Sequence, residues 1–260
     1  MKRLFKYAVF ICIMILAMLT FTGCEGSFLE NILPSKAIKG NGVITSNIYK
    51  LSDSIYSLDI NEINFLYKAG ILEIDEKLAD SIVISSDQNI LDMLSVDVSS
   101  SKITVTVSGE ESYRYNPTQF KITIGVPISD MLIDGAFDVD VDISSVTKLN
   151  ITSTGILNGE MNIGEVSEFN YVCTGKDGIK FYGRADMCNV TIKGVSQIDA
   201  INLVTRKTNI MLYGASSYTA YVTEELKAEL NGLATLKYAG APERIIPVIN
   251  GLGSIKEIEG

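Results

Sequence analysis

The heptapeptide Leu149-Asn150-Ile151-Thr152-Ser153-Thr154-Gly155 has three echoes further along the chain: Phe169-Asn170-Tyr171-Val172-Cys173-Thr174-Gly175, Cys188-Asn189-Val190-Thr191-Ile192-Lys193-Gly194 and Thr208-Asn209-Ile210-Met211-Leu212-Tyr213-Gly214. Each ends in glycine and carries an asparagine near its start. Apolar side chains fill most of the alternate positions between, which is the period of a half-buried strand. Glycines of the same phase extend the series to Gly135, Gly155, Gly175, Gly194, Gly214, Gly232 and Gly251, at intervals of 20, 20, 19, 20, 18 and 19. A second alternating run follows each glycine, with inward pairs such as Val139/Val141, Ile179/Phe181, Ile198/Ala200 and Leu236/Tyr238.

A repeat near 20 residues, built of two short strands and a glycine corner, narrows the architecture quickly. A leucine-rich repeat would show a recurring leucine frame, and helical repeats need longer periods with 3.6-residue patterning. What remains is an all-β chain folded as a parallel β-helix, each coil stacked on the last at about 4.8 Å. Seven such coils would rise roughly 30 Å. Glycine at the corner answers to a positive φ or to a close approach between turns. Stacking also brings Asn150, Asn170, Asn189 and Asn209 into one column, where their amides are expected to hydrogen-bond along the axis as a ladder that fixes register.

The same register decides the cysteines. Cys173 and Cys188 fall four residues out of step in adjacent coils, about 13 Å along a strand. That exceeds the ~7 Å Cα limit for a disulfide, so two free, inward-facing thiols are expected. Residues 40–130 lack the glycine period but are strand-rich, with alternating runs around Ser54–Ile60, Ile82–Ile84, Lys102–Val107 and Phe120–Val126. They read as an N-terminal β portion that caps the β-helix of residues 131–260 and shares its core, because an open solenoid end exposes unpaired backbone and apolar surface.

Composition limits the chemistry. The 260 residues hold 22 Lys+Arg against 31 Asp+Glu, a net charge of −9, and no histidine. The acidic balance argues against a nucleic-acid partner, which needs a basic footprint. Without histidine there is no Ser-His-Asp or Cys-His catalysis and no imidazole metal site. The first residues, Met1-Lys2-Arg3-Leu4-Phe5-Lys6, are basic, and Ala8 to Leu19 are uninterruptedly apolar. This fits a secretory signal better than a membrane span of roughly 20 residues. Phe21-Thr22-Gly23-Cys24 then resembles a bacterial lipoprotein processing site. The expectation is a signal peptide over 1–23, lipid attachment at Cys24, and a tether over 24–39. Loss of Lys2, Arg3 and Lys6 would take the net charge from −9 to −12. The lipid would then hold the protein to a cell membrane or outer membrane, facing outside the cytoplasm.

From Gly40 onward the chain resembles the auto-transporter adhesin head domain known as the GIN domain. The resemblance is carried by Gly40-Asn41-Gly42-Val43, by Ser86-Asp87-Gln88-Asn89-Ile90-Leu91-Asp92 with the strand at Lys102–Val107, by Leu236-Lys237-Tyr238-Ala239-Gly240-Ala241-Pro242, and by Asn250-Gly251-Leu252-Gly253-Ser254. Family members usually carry Gly-x-Gly-Asp in each coil, and most coils here keep only the first glycine. The resemblance implies surface adhesion, with a surface protein or glycan as partner.

The residues themselves offer one place for chemistry. In Asp138-Val139-Asp140-Val141-Asp142 the alternation puts three carboxylates on the outer face, and the next coil adds Asn158, Glu160 and Asn162. Asp138, Asp140, Asp142 and Glu160 could supply oxygens to Ca²⁺, or an acid and a base to a polysaccharide-cleaving β-helix. Against both, carboxylates on a flat sheet do not converge, and Glu160 faces Lys180 across coils. A solvated acidic face is therefore the expectation, with no metal, no cofactor and no catalytic residue. The reading is a non-catalytic, adhesin-like envelope lipoprotein, the alternative being a polysaccharide-binding or polysaccharide-cleaving β-helix.

Overall fold

Among the described residues strand makes up 73% and helix 2%, as the alternating pattern requires. The computed structural model describes residues 37–52, 55–76, 78, 80–99, 101–108 and 114–259; the expected signal peptide, Cys24 and most of the tether lie outside them. Strands β1 (Ala37–Lys39), β2 (Ile44–Lys50), β3 (Ser57–Ile63), β4 (Gly70–Asp75) and β5 (Ser81–Asp87) precede a single helical turn, α1 (Gln88–Leu91). Then come β6 (Leu94–Val98), β7 (Lys102–Val107), β8 (Arg114–Asn116) and β9 (Phe120–Ile124). The repeat contributes β10 (Asp130–Asp142), β11 (Lys148–Ser153), β12 (Ile156–Cys173), β13 (Gly178–Gly194), β14 (Gln197–Gly214), β15 (Ser217–Gly232), β16 (Thr235–Ala239), β17 (Arg244–Gly251) and β18 (Ser254–Glu257).

From β10 to β18 the inter-coil pairing is parallel, in a solenoid of about six turns. Seven glycines bound six intervals, which is why the turn count falls one below the glycine count. The glycines are level with one another, Gly194 beside Gly214, Gly214 beside Gly232 and Gly232 beside Gly251. Coils of 18 to 20 residues hold this common register because the slack is taken elsewhere. The ladder slips between Asn162 and Glu165, between Lys180 and Tyr182, and between Ala200 and Lys207, all on the opposite side of the coil.

Close approach is the main reason for glycine at the corner. A Cβ on Gly175 would sit 1.8 Å from the carbonyl oxygen of Gly155, and one on Gly155 would sit 1.8 Å from that of Gly135. Each coil turns so tightly over the last that no side chain fits between them. The inward positions read from the sequence are filled as the alternation demands: Leu149, Ile151, Phe169, Tyr171, Val190, Ile192, Ile210, Leu212, Leu226 and Leu230 are all buried. Phe169, Tyr171 and Phe181 meet with ring centroids 5.0–6.3 Å apart. Cys173 is level with Ile192 and Cys188 with Phe169, so the two thiols are out of register, free and buried.

Parallel stacking continues below Asp130. β3 and β4 lie against the two halves of β10, while β7 and β9 lie against β3 and β4. The pairing then reverses: β5 runs antiparallel to β9, β2 antiparallel to β5, and β6 antiparallel to β7. One buried cluster runs from Leu51 through Ile82, Ile122 and Phe137 to Tyr238. The N-terminal strands thus add two layers to the stack before closing it, and they share its core.

Candidate functional site

Stacking puts every outer column of side chains in reach of itself. The asparagine column forms an unbroken chain of amide bonds: the Nδ2 of Asn209 donates to Asn189 at 2.8 Å, Asn189 to Asn170 at 2.8 Å, and Asn170 to Asn150 at 2.7 Å. Asn150 ends it by donating to the Asp130 carboxylate at 2.6 Å. A shorter rung joins Asn250 to Asn231 at 3.2 Å. These amides are partly buried and occupied by one another, so they hold register and have little left for a ligand.

The acidic face is also engaged along the axis. Asp140 is level with Glu73 on one side and Glu160 on the other, and Asp138 with Asn158. Glu160 accepts from the Lys180 ammonium at 2.9 Å, Glu73 pairs with Lys121 at 2.7 Å, and Asp142 accepts from Asn162 at 2.9 Å. The Lys180 hydrogen bond and charge hold the Glu160 carboxyl below its ordinary value, and Glu160 raises Lys180 in return. Among the described residues no three Asp, Glu or Cys side chains are placed to hold a metal ion. Asp138, Asp140, Asp142 and Glu160 are neighbours on one face, but that face does not fold around a point.

A concave surface lies elsewhere, just past the glycine corner. The first residue after each glycine points outward, so Ile156, Val195, Leu233 and Leu252 stand exposed along a ridge, with Lys176 and Ala215 between them. The third residue after each glycine is polar or small, giving Asn158, Gly178, Gln197, Ser217 and Thr235. Between ridge and polar column runs a shallow groove of about 460 Å³, crossing the coils from Asn158 to Thr235. Its floor is the intervening column, Asp177, Ser196 and Ser216, each more than nine-tenths buried.

That floor is knitted from inside. Asp177 accepts from the backbone N–H of Leu157 at 2.9 Å, from the Ser153 hydroxyl at 3.1 Å and from the Tyr171 phenol. Its own N–H donates to the Ser196 hydroxyl at 3.1 Å, which also contacts the Cys173 thiol at 3.3 Å. Burial first, and then the Asp177 charge, push the Tyr171 phenol well above its ordinary value, so it stays a neutral donor. Burial likewise raises Cys173 to about 11 and Cys188 to about 12. Neither thiol is a nucleophile at neutral pH. Sequence reading alone did not find this groove. Its signal, apolar residues just after several glycines and polar ones two further on, was present but broken by Lys176 and Ala215.

The phrases Gly40-Asn41-Gly42 and Asp87-Gln88-Asn89 meet in space as a clasp on the closed end. The buried Asp87 carboxylate accepts from the N–H of Gly42 at 2.6 Å, from the N–H of Thr118 at 2.6 Å and from the Thr118 hydroxyl at 2.9 Å. Burial by itself would raise Asp87, but these donors outweigh it and hold the carboxyl below its ordinary value. Asn89 accepts from Asn41 N–H at 2.9 Å and donates to the Lys39 carbonyl at 2.9 Å. Gly40 packs so closely on Asp87 that a Cβ would fall 2.3 Å from its carboxyl carbon.

A capped parallel β-solenoid with a solvent-facing groove along its axis is a repeat architecture in which each coil contacts only its neighbours. The chain is a member of the family described as "Putative auto-transporter adhesin, head GIN domain", whose model matches residues 66–242. Among solved structures it resembles a putative adhesin from Bacteroides fragilis NCTC 9343, with a TM-score of 0.73, 23% identity, and coverage of 85% of this chain and 100% of that one. A putative adhesin from Parabacteroides distasonis ATCC 8503 has a TM-score of 0.60 at 17% identity, covering 86% of this chain and 100% of that one. A putative lipid binding protein from the same strain also has a TM-score of 0.60, at 20% identity and the same coverages. At these identities the likeness shows a shared fold. No sequence relative is found among curated proteins.

Proposed function

We propose that this chain is a non-catalytic, adhesin-like head, carried outside the cytoplasm by a lipid on Cys24, and that it binds a surface protein or glycan along the glycine-corner groove. The observation that carries the reading is the groove itself, a run of hydroxyls and amides beside a ridge on which Val195 and Leu233 alternate with Lys176 and Ala215. A ligand extended along the axis would cross one coil about every 4.8 Å and meet a large aliphatic side chain at every second one, which suits polymeric or elongated partners. Family membership supports an adhesin-type role. The pairing of Glu160 with Lys180 favours binding over cleavage, because an acid–base pair needs carboxyls free to exchange protons.

The test is binding of the purified chain to envelope proteins and a glycan array, repeated with Ser217→Arg and Leu233→Asp. Both substitutions alter exposed or half-exposed groove positions and should abolish binding while leaving the circular dichroism spectrum unchanged. Turnover of an acidic polysaccharide, lost in Asp140→Asn, would replace this reading with the cleaving one. For the anchor, mass spectrometry of the native protein should show acylation at Cys24, and Cys24→Ser should release the chain from the membrane fraction.

A further inference from the structure

The coils turn a second time on the side away from the glycine corner. β12, β13, β14 and β15 each pass through that turn as one unbroken strand. The layers beneath break there, at residues 55–56 before β3, at 125–129 between β9 and β10, and at 143–147 between β10 and β11. The breaks lie over one another, because Ser57 is level with Asp130 and Asp130 with Asn150. Together they enclose a pocket of about 530 Å³, a size typical of small-molecule sites. Departures from an otherwise regular pattern are where functional sites concentrate. Tyr56, which is 53% exposed, supplies the apolar lining with Pro127 and Val146. Its carbonyl accepts from the N–H groups of Ser129 at 2.9 Å and Asp130 at 3.1 Å, so its backbone is held beside the polar side of the pocket. That side is the foot of the amide ladder. One Asp130 oxygen takes Asn150 at 2.6 Å and the other takes the Ser129 hydroxyl at 2.8 Å. A carboxylate has about four lone-pair sites, so acceptor capacity remains. One coil up, Asn170 spends its second N–H on Glu168 at 2.8 Å. Two residues before Asn150 stands Lys148, which has no acceptor and is itself paired with Glu168 at 3.1 Å. The second Asn150 N–H is therefore left unclaimed by the ladder.

We propose that this pocket binds a neutral saccharide, with the C–H face of a sugar ring on Tyr56 and two neighbouring hydroxyls on Asp130 and Asn150. An acceptor and a donor side by side suit that chemistry: one hydroxyl donates to the carboxylate while the next accepts from the amide N–H. The negative face of an aromatic ring attracts the polarised C–H groups of a sugar. Charge selects a neutral ring. Asp130 lines the pocket, and Lys148, the cation lining it, is already engaged by Glu168. The chain as a whole carries −9, so a sugar bearing a carboxylate would meet repulsion. The pocket shares no residue with the glycine-corner groove, and the proposal stands whatever the groove binds.

The test is saturation-transfer NMR on the full chain with D-glucose, D-galactose and D-mannose at millimolar concentration, each beside its uronate where one hydroxymethyl group is oxidised to a carboxylate. At least one neutral sugar should receive transfer, and its uronate should bind more weakly. Tyr56→Ala should weaken that binding about tenfold or more, with the melting temperature preserved because the side chain is already half exposed. Tyr56→Phe should keep it, since the ring face and not the hydroxyl makes the contact. Ser217→Arg, which alters only the groove, should leave it unchanged. No transfer to any of the three sugars, transfer undiminished by Tyr56→Ala, a uronate preferred to its neutral parent, or binding lost in Ser217→Arg would each overturn the proposal.

Discussion

The two ends of this solenoid are made from similar residues and behave differently. At the N-terminal end the stack stops because strand direction reverses and a buried carboxylate, Asp87, ties Gly42 to Thr118 across the turn. At the C-terminal end nothing reverses, and β17 keeps the register of the coil beneath it to Gly251. The repeat itself contains no instruction to end. Register propagates from coil to coil through glycine contacts and amide rungs, and termination takes separate, non-repeating chemistry.

The largest effect that would sharpen this contrast comes from the glycine column. Gly175→Ala should cost about 3 kcal/mol or more, since the new Cβ meets backbone that cannot move without unstacking a coil. Gly42→Ala at the sealed end, where a Cβ meets nothing within 4 Å, should cost only the left-handed backbone penalty of about 1–2 kcal/mol. Urea unfolding measures both, and equal costs would break the comparison. Next comes the clasp. Asp87→Ala removes the acceptor for two backbone donors and a hydroxyl, and should cost about 2–3 kcal/mol. Because the folded carboxyl is held below its ordinary value of 3.8, the clasp contributes fully above that pH and fades as pH falls through the lower folded-state value. Acid titration of thermal stability should therefore show a loss below about pH 4 that Asp87→Ala lacks.

Smaller effects test the rungs. Asn170→Ala breaks the bonds to both Asn150 and Asn189 and should cost about 1–2 kcal/mol, whereas Asn209→Ala breaks one rung and should cost about half as much. Equal losses would mean that the ladder does not act through its rungs. The smallest effect is on the thiols. Cys173 and Cys188 should resist alkylation at pH 8 in the folded protein and both react once it is unfolded, as read by mass spectrometry.

How much of this was legible in advance follows the same divide. The stacked coils could be read from Gly155, Asn150 and their repeats, because a column that must fit its own copy one coil away leaves a period in the chain. The sealed end left no such trace. β3 and β4 pair forward with β10, some seventy residues on, and no local pattern announces a partner that distant. The acidic residues at 138, 140, 142 and 160 were visible as a cluster, and the glycine register already set Glu160 opposite Lys180, as the structure has it; the pairing of Glu73 with Lys121 had no such register to announce it. The groove was missed because Asp177 reads as a turn residue. Only the bonds from Ser153, Leu157 and Tyr171 show that it faces inward.

The layer order has a consequence for how the chain reaches this state. β3 and β4 are made early, yet they end between the later-made β7–β9 layer and β10. Space and chain order therefore part company at this end, whereas from β10 onward they agree. Bringing β3 and β4 onto β10 closes loops of about seventy residues, which is slower than adding a coil to a neighbour about twenty residues away. The regular coils can form on one another as a zipper from any starting point, and the N-terminal layers are the part whose assembly costs the longer search.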